Sequence, residues 1–187
     1  IIRKKGQAVA AKRSDREAAE GAVLVKSADG FAAILALKCE TDFVAKNEDF
    51  IKLAQEILDA AVANKCKSLE EVNALPFGAH TVAEAVTDRS GITGEKMELD
   101  GYMFIEGENV SVYDHMNRHQ LCTMVQTNLP AEEEAHNVAM QVAAMNPVAL
   151  NEESVPEKIK EEELKVAIEK TKEEQVKKAV EAALKKA

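Results

Sequence analysis

Two apolar segments joined by a short turn sequence constrain the fold of this chain most strongly. Residues 21–26 and 31–37 are apolar, and Ala28-Asp29-Gly30 lies between them. Asp-Gly between apolar runs is a strong hairpin signal, because a type I′ turn needs a positive φ at both central residues. The sequence therefore predicts an antiparallel hairpin over residues 23–37.

The hydrophobic pattern changes from a strand period to a helical period after this hairpin. A helix is predicted to begin at Asn47 or Glu48 and to end at Asn64, a residue type that tolerates the left-handed conformation. The residues that share its apolar face are Phe50, Ile51, Ala54, Ile57, Leu58 and Ala61. The pattern predicts an amphipathic helix over residues 48–63 that packs on the sheet.

Two shorter helices are predicted from capping-box sequences, in which a hydroxyl residue precedes a glutamate in the first helical turn. These sequences are residues 68–71 and 81–84. The second helix is predicted to stop near Ser90-Gly91, because glycine commonly ends a helix.

Beyond Gly94 the pattern again favours strands. The predicted strands are residues 97–105, 109–115 and 121–127, with a turn at 106–109. A further helix over residues 131–145 begins with Pro130 and a run of acids, and Asn146-Pro147 ends it. The predicted fold class is α+β, an antiparallel sheet with helices packed mainly on one face.

The C-terminal segment differs in composition from the rest of the chain. From Pro156 onward it is almost purely Glu, Lys, Ala, Val, Ile and Leu, with a narrow apolar stripe. Such a stripe is typical of a long helix or a helical hairpin that packs weakly or packs on a partner. We therefore predict a charged helical extension over residues 151–187, after a core at residues 21–150.

Composition excludes several classes of function. The net charge of −9 opposes broad binding of nucleic acid and suits a partner with a basic surface. Cys39, Cys66 and Cys122 lack metal-ligand spacing, and we expect reduced thiols of a cytoplasmic protein. We expect neither a signal peptide nor a membrane-spanning segment, because the sequence contains no apolar run of about 18 residues.

Catalytic motifs are also lacking in the sequence. It contains no glycine-rich phosphate loop, no G-x-S-x-G and no H-E-x-x-H. We therefore expect a protein that is not an enzyme, needs no cofactor or metal, and does not itself bind nucleotide. Two alternatives stay open. One is a thiol enzyme that uses Cys39 or Cys122 with His115, and the other is an RNA-binding or purely structural module.

An acid and a large aromatic residue lie together where the apolar strand ends. The run is Cys39-Glu40-Thr41-Asp42-Phe43-Val44-Ala45-Lys46, in a chain that has only five Phe and two Tyr. Burying a Phe side chain is worth roughly 1.5–3 kcal/mol. A Phe on a connection can give that energy to a partner's pocket, or it can fold back onto its own core.

This run resembles the signature of the elongation factor Ts family, the guanine-nucleotide exchange factors of elongation factor Tu. Further segments over residues 1–150 are similar to the family in the same order: residues 2–6, 10–13, 19–21, 58–63, 94–97, 113–115 and 136–144. The resemblance implies a fragment in which residues 1–20 are a linker from a missing N-terminal module, and which also lacks part of a second core subdomain.

The resemblance also implies a mode of action and a set of contacts. The Asp42-Phe43 turn would enter the G domain of GDP-bound elongation factor Tu near the magnesium site of the nucleotide. The partner-binding residues that it implies are Thr41, Asp42, Phe43, Val44, Thr93, Gly94 and His115.

Overall fold

The structure is a computed structural model, and it describes residues 2–184. The helices are α1 (Ile2–Lys12), α2 (Asp42–Ala45), α3 (Glu48–Ala63), α4 (Leu69–Ala74), α5 (Val82–Thr93), α6 (Glu132–Met145) and α7 (Glu157–Leu184). The strands are β1 (Glu20–Ala28), β2 (Phe31–Cys39), β3 (Pro76–Phe77), β4 (His80–Thr81), β5 (Glu98–Glu106), β6 (Val110–Asp114) and β7 (Cys122–Gln126). The chain forms two compact units, and the first ends at Met145.

The predicted hairpin forms the centre of the first unit. Strands β1 and β2 pair antiparallel from Glu20↔Cys39 to Ala28↔Phe31. Asp29 and Gly30 have φ angles of 49° and 70°, the positive values that the Asp-Gly signal predicts. Strand β5 pairs antiparallel with the other side of β2.

The α+β prediction is confirmed, although the strands divide between three antiparallel sheets. Sheet β1-β2-β5 carries α3, while β3-β4 and β6-β7 are separate two-stranded sheets. Helix α6 packs on the β6-β7 sheet. The main core lies between β2 and α3, whose Phe31, Leu35, Phe50, Ile57 and Leu58 are fully buried.

Residues 2–12 form α1, which packs against α5. The two helices approach closely at Gly6. A Cβ atom added to Gly6 would lie 2.2 Å from the carbonyl oxygen of Thr87, so a larger residue would push the helices apart. The wider division into modules at residues 1–20, 21–150 and 151–187 stays a prediction.

The predicted end of the helix at residues 48–63 is correct, with Asn64 as the C-cap of α3, but its left-handed residue differs, and the predicted end of α5 is wrong. The left-handed residue after α3 is Lys65 (φ 49°), whereas Asn64 has a φ of −93°. Helix α5 continues through the buried Gly91 to Thr93, and Gly94 (φ 77°) takes the left-handed position. A glycine does end α5, but it is Gly94 rather than Gly91.

The second unit contains a short 3₁₀ turn and then the single helix α7. The apolar residues along α7 are largely exposed: Leu164, Val166, Ile168, Val176 and Val180. Helix stability in proteins comes mainly from a buried face, and these residues bury little of theirs.

The amides of α7 should therefore exchange with solvent well before those of α3. Helix α3 buries six residues in the core, so its opening requires disruption of the sheet packing. Amide hydrogen exchange followed by mass spectrometry or NMR measures both helices in one sample. Equal protection of the two helices would contradict the prediction.

Candidate partner-binding site around Phe43

Phe43 lies on α2, a one-turn helix that follows the end of β2, and its side chain is 84% exposed. The alternative that Phe43 folds back onto its own core is therefore wrong. An exposed Phe leaves roughly 1.5–3 kcal/mol of burial free energy unused in the isolated chain. The ring is therefore available to a partner.

The opposite side of α2 is attached to the core. Ala45 is buried, and Val44 packs against the same core at partial exposure. Ala45 N–H donates to the Thr41 carbonyl (3.1 Å), and Lys46 N–H donates to that of Asp42 (3.0 Å). A single helical turn is unstable on its own, so tertiary contacts determine where α2 holds Phe43.

Glu95 provides the most extensive polar contact at the start of α2. Its Oε2 accepts hydrogen bonds from the N–H groups of Glu40 (3.2 Å) and Thr41 (3.1 Å). Its Oε1 accepts from the Thr41 hydroxyl (2.6 Å). No sequence signal assigns a role to Glu95, although the residue lies in the Gly94-Glu95-Lys96-Met97 segment that resembles the family.

Thr93 and Gly94 lie beside this contact and support it. Gly94 caps α5 in the left-handed conformation, which turns the chain back towards the end of β2. The Thr93 hydroxyl donates to the Arg89 carbonyl (3.1 Å) and accepts from Glu95 N–H (3.3 Å). These bonds fix the main chain on the N-terminal side of Glu95.

Glu40 forms a second set of contacts at the same place. Its carboxylate accepts from Lys96 N–H (2.6 Å), from Arg13 (2.6 Å) and from Arg16 (3.2 Å). Its side chain is only 9% exposed, and burial alone would raise the pKa of Glu40. The hydrogen bonds from Lys96 and Arg13 outweigh burial and hold the pKa of Glu40 below its ordinary value of 4.5.

The contribution of Glu40 to stability should therefore depend on pH. A carboxyl group with a lowered pKa in the folded state stabilises the fold above its unfolded pKa, and it loses that effect as pH falls through the folded value. Glu40→Gln should lower the free energy of unfolding at neutral pH by about 1–3 kcal/mol, because it weakens bonds at a buried charged group. The deficit should shrink below about pH 4.5, the ordinary pKa. Denaturant titrations of both proteins from neutral to acid pH measure it, and a constant deficit would contradict the assignment.

Asp42 and Lys46 form an exposed ion pair along α2. The two side chains lie 2.8 Å apart, one helical turn from each other. The hydrogen bond from Lys46 is the main cause that lowers the pKa of Asp42. The Asp42 carboxylate is thus a charged group beside Phe43, and the Lys46 ammonium already neutralises part of its charge.

The segment after β6 also lies close to α2. A groove between them is lined in part by Asp42, Lys46, Arg118 and His119. His119 Nδ1 lies 2.5 Å from an oxygen of Asp114, which fixes this segment to the end of β6. His115 is not part of the groove lining, and its Nδ1 lies 3.1 Å from the Tyr113 hydroxyl.

The cysteines do not favour the thiol-enzyme alternative. Burial raises the pKa of Cys39 to about 11 and that of Cys122 to about 12. The Cys122 thiol donates to the Val23 carbonyl (3.2 Å). Both thiols are therefore held in the protonated form at neutral pH, whereas a cysteine nucleophile needs the thiolate.

Within residues 2–184, no group of three or more His, Cys, Asp or Glu side chains could hold a metal ion. None of the helices described there is long and apolar enough to cross a membrane.

A profile of the family described as elongation factor TS matches residues 40–186, most of the chain. The chain belongs to the elongation factor Ts family. The match extends past residue 150, where the resemblance in the sequence ended, and includes the whole of α7.

Individual members of the elongation factor Ts family agree with the profile. Proteins named elongation factor Ts from Parabacteroides distasonis and Bacteroides fragilis are each 71% identical over the whole chain. That of Porphyromonas gingivalis is 55% identical over 171 residues, or 90% of the chain and 62% of the relative. The chain spans 57% of the length of the first two relatives.

Proposed function

We propose that this chain promotes the release of GDP from elongation factor Tu, as part of a guanine-nucleotide exchange factor of translation in the cytoplasm. The observation that carries the proposal is the 84% exposure of Phe43 on a helix whose other side is anchored in the core. Membership of the elongation factor Ts family supports the choice of partner.

In the proposed mechanism the Phe43 ring enters the G domain of elongation factor Tu near the magnesium site. A bound diphosphate is held largely by Mg²⁺ and by donors at a helix N-terminus. An inserted ring that displaces those groups weakens the grip on the phosphates without touching the base. The chain itself makes no bond to the nucleotide and changes no covalent bond.

The free energy available is sufficient for exchange. Burial of one Phe ring gives roughly 1.5–3 kcal/mol, which corresponds to a weakening of GDP by about 10- to 150-fold if all of it is coupled. The coupling is reciprocal, so GDP must weaken the binding of this chain by the same factor.

The other predicted site residues divide into two groups in this proposal. His115 is exposed and the Asp42 side chain is 49% exposed, and both would contact the partner. Thr41, Val44, Thr93 and Gly94 are partly buried and would mainly hold the contact residues in place. This division assigns direct contact to fewer residues than the resemblance alone implied.

Reciprocal binding provides the test of this function. Calorimetric titration should show tighter binding of the chain to nucleotide-free elongation factor Tu than to the GDP-bound form. Leu129→Ala removes another exposed apolar side chain, on the loop before α6, and should bind like the unmodified chain. Equal affinity for the two nucleotide states would overturn the proposal, because a ligand without differential affinity cannot drive exchange.

Asp42→Ala should reduce GDP release less than loss of the Phe43 ring does. The carboxylate is exposed and already paired with Lys46, so its removal changes rim electrostatics rather than buried area. Fluorescent-GDP release at low and high salt measures the effect, with Glu70→Ala on α4 as an exposed acidic control. A loss as large as that of a ring deletion would show that Asp42, rather than Phe43, makes the central contact.

A further inference from the structure

The start of α2 lacks the usual cap of a helix. Thr41 occupies the N-cap position with extended backbone angles (φ −126°, ψ 152°), yet its side chain makes no hydrogen bond to the helix. A threonine at this position ordinarily accepts a bond from an N–H of the first turn. Here its hydroxyl donates to Glu95 Oε1 instead.

Glu95 thereby fixes two successive residues from outside the helix. Three donors of Glu40 and Thr41 converge on both oxygens of one carboxylate. Hydrogen bonds to an ionised group are about twice as strong as neutral ones, and two acceptor oxygens define an orientation as well as a position. The backbone that enters α2 is therefore held two residues before Phe43.

A hydrogen bond in the opposite direction also joins the segments that contain Glu40 and Glu95. While Glu95 accepts from residues 40 and 41, the Glu40 carboxylate accepts from the N–H of Lys96. We call these contacts of Glu40, Thr41, Glu95 and Lys96 the carboxylate interlock. It joins the end of β2 to the turn after α5, across a sequence separation of 54 to 56 residues.

We propose that Glu95 is a positioning residue, which sets the placement of Phe43 through the carboxylate interlock. The inference rests on the proposed function for its effect on exchange, but not for its effect on α2. Without the carboxylate, α2 keeps its attachment through Ala45 and loses the contact that fixes its N-terminal end. The ring then samples several positions, and only some of them fit the partner.

A double-mutant cycle separates this role from a general structural one. Glu95→Gln keeps the size of the side chain and replaces one acceptor oxygen with a donor. At saturating concentration of the chain it should slow GDP release by about tenfold, as expected for the loss of charge-assisted bonds. In a Phe43→Ala background the same change should cost less than about twofold, because the two residues act as one unit. An equal loss in both backgrounds would overturn the proposal.

A second measurement needs no partner. Amide exchange at Ala45 and Lys46 should be about tenfold faster in Glu95→Gln, with the amides of α3 unchanged. Thr41→Val removes only the hydroxyl bond and should give a smaller change in the same direction. Glu70→Gln on α4 should leave α2 as protected as in the unmodified chain.

The two measurements distinguish failure of the inference from failure of the proposed function. If the unmodified chain does not accelerate GDP release, the proposed function is wrong, and amide exchange in α2 alone tests the positioning role of Glu95. If α2 stays equally protected in Glu95→Gln, Glu95 does not position it, whatever the release assay gives.

Discussion

Phe43→Ala should slow the release of GDP from elongation factor Tu in the presence of this chain by about tenfold or more, the effect of losing a central aromatic contact. The free energy of unfolding should change by less than about 1 kcal/mol, because the ring is exposed in the isolated chain. A partner contact predicts slower GDP release with almost unchanged stability, whereas a core position predicts lower stability with normal release. Thermal melting and GDP release are therefore measured on the same preparation.

A different outcome would point to a structural role for Phe43. If the Phe43 ring were part of the core, its truncation would lower the free energy of unfolding by about 3–5 kcal/mol. A variant that melts at a much lower temperature, yet stimulates release normally while folded, would contradict the partner contact. Leu129→Ala controls for the removal of an exposed apolar side chain elsewhere.

Phe50→Ala should give the opposite result and destabilise the fold by about 3–5 kcal/mol, because it leaves a cavity in a packed core. Phe50 is completely buried on α3, only seven positions along the chain from Phe43. Below its lowered melting temperature, the folded variant should still stimulate GDP release, since α2 and Glu95 are unchanged.

The measurement for Phe50→Ala is a denaturant titration together with a release assay at low temperature. A loss of stability under about 1 kcal/mol would show that the core between α3 and β2 can collapse around the missing ring. A folded Phe50→Ala protein without exchange activity would instead show that α3 packing determines the position of α2.

Local sequence signals predicted the hairpin and the long helices because their determinants lie close together in the chain. Asp29-Gly30 encodes its own turn, and the apolar face of residues 48–63 encodes both helix and burial. Thr81 and Glu84 form the full capping box that their spacing predicts. At residues 68–71, Ser68 caps α4, but Glu71 accepts from Lys67 N–H rather than from Ser68.

The hydrogen bonds that hold the start of α2 in place could not be predicted in the same way, because the residues that form them are far apart in sequence. Glu95 meets Thr41 across 54 residues, and Glu40 meets Arg13 across 27. A glutamate after a helix-ending glycine looks like any solvated acid. The antiparallel pairing of β2 with β5, in which Lys38 lies opposite Glu98, places the turn after α5 near the start of α2.

The exposure of Phe43 also depends on tertiary structure. An aromatic residue after a strand is compatible with burial or exposure, and the residues around it do not decide between them. The structure shows that Ala45 and Val44 take the core-facing positions of α2 and leave Phe43 outside. The family resemblance favoured a partner contact, which stays a prediction.

Stopped-flow release of fluorescent GDP from elongation factor Tu, with and without this chain, tests the central claim most directly. The release rate should rise with the concentration of the chain, reach a plateau, and fall by about tenfold or more at that plateau when Phe43 is replaced with alanine. A release rate that is unchanged by the chain, under conditions where binding to elongation factor Tu is demonstrated, would contradict the claim.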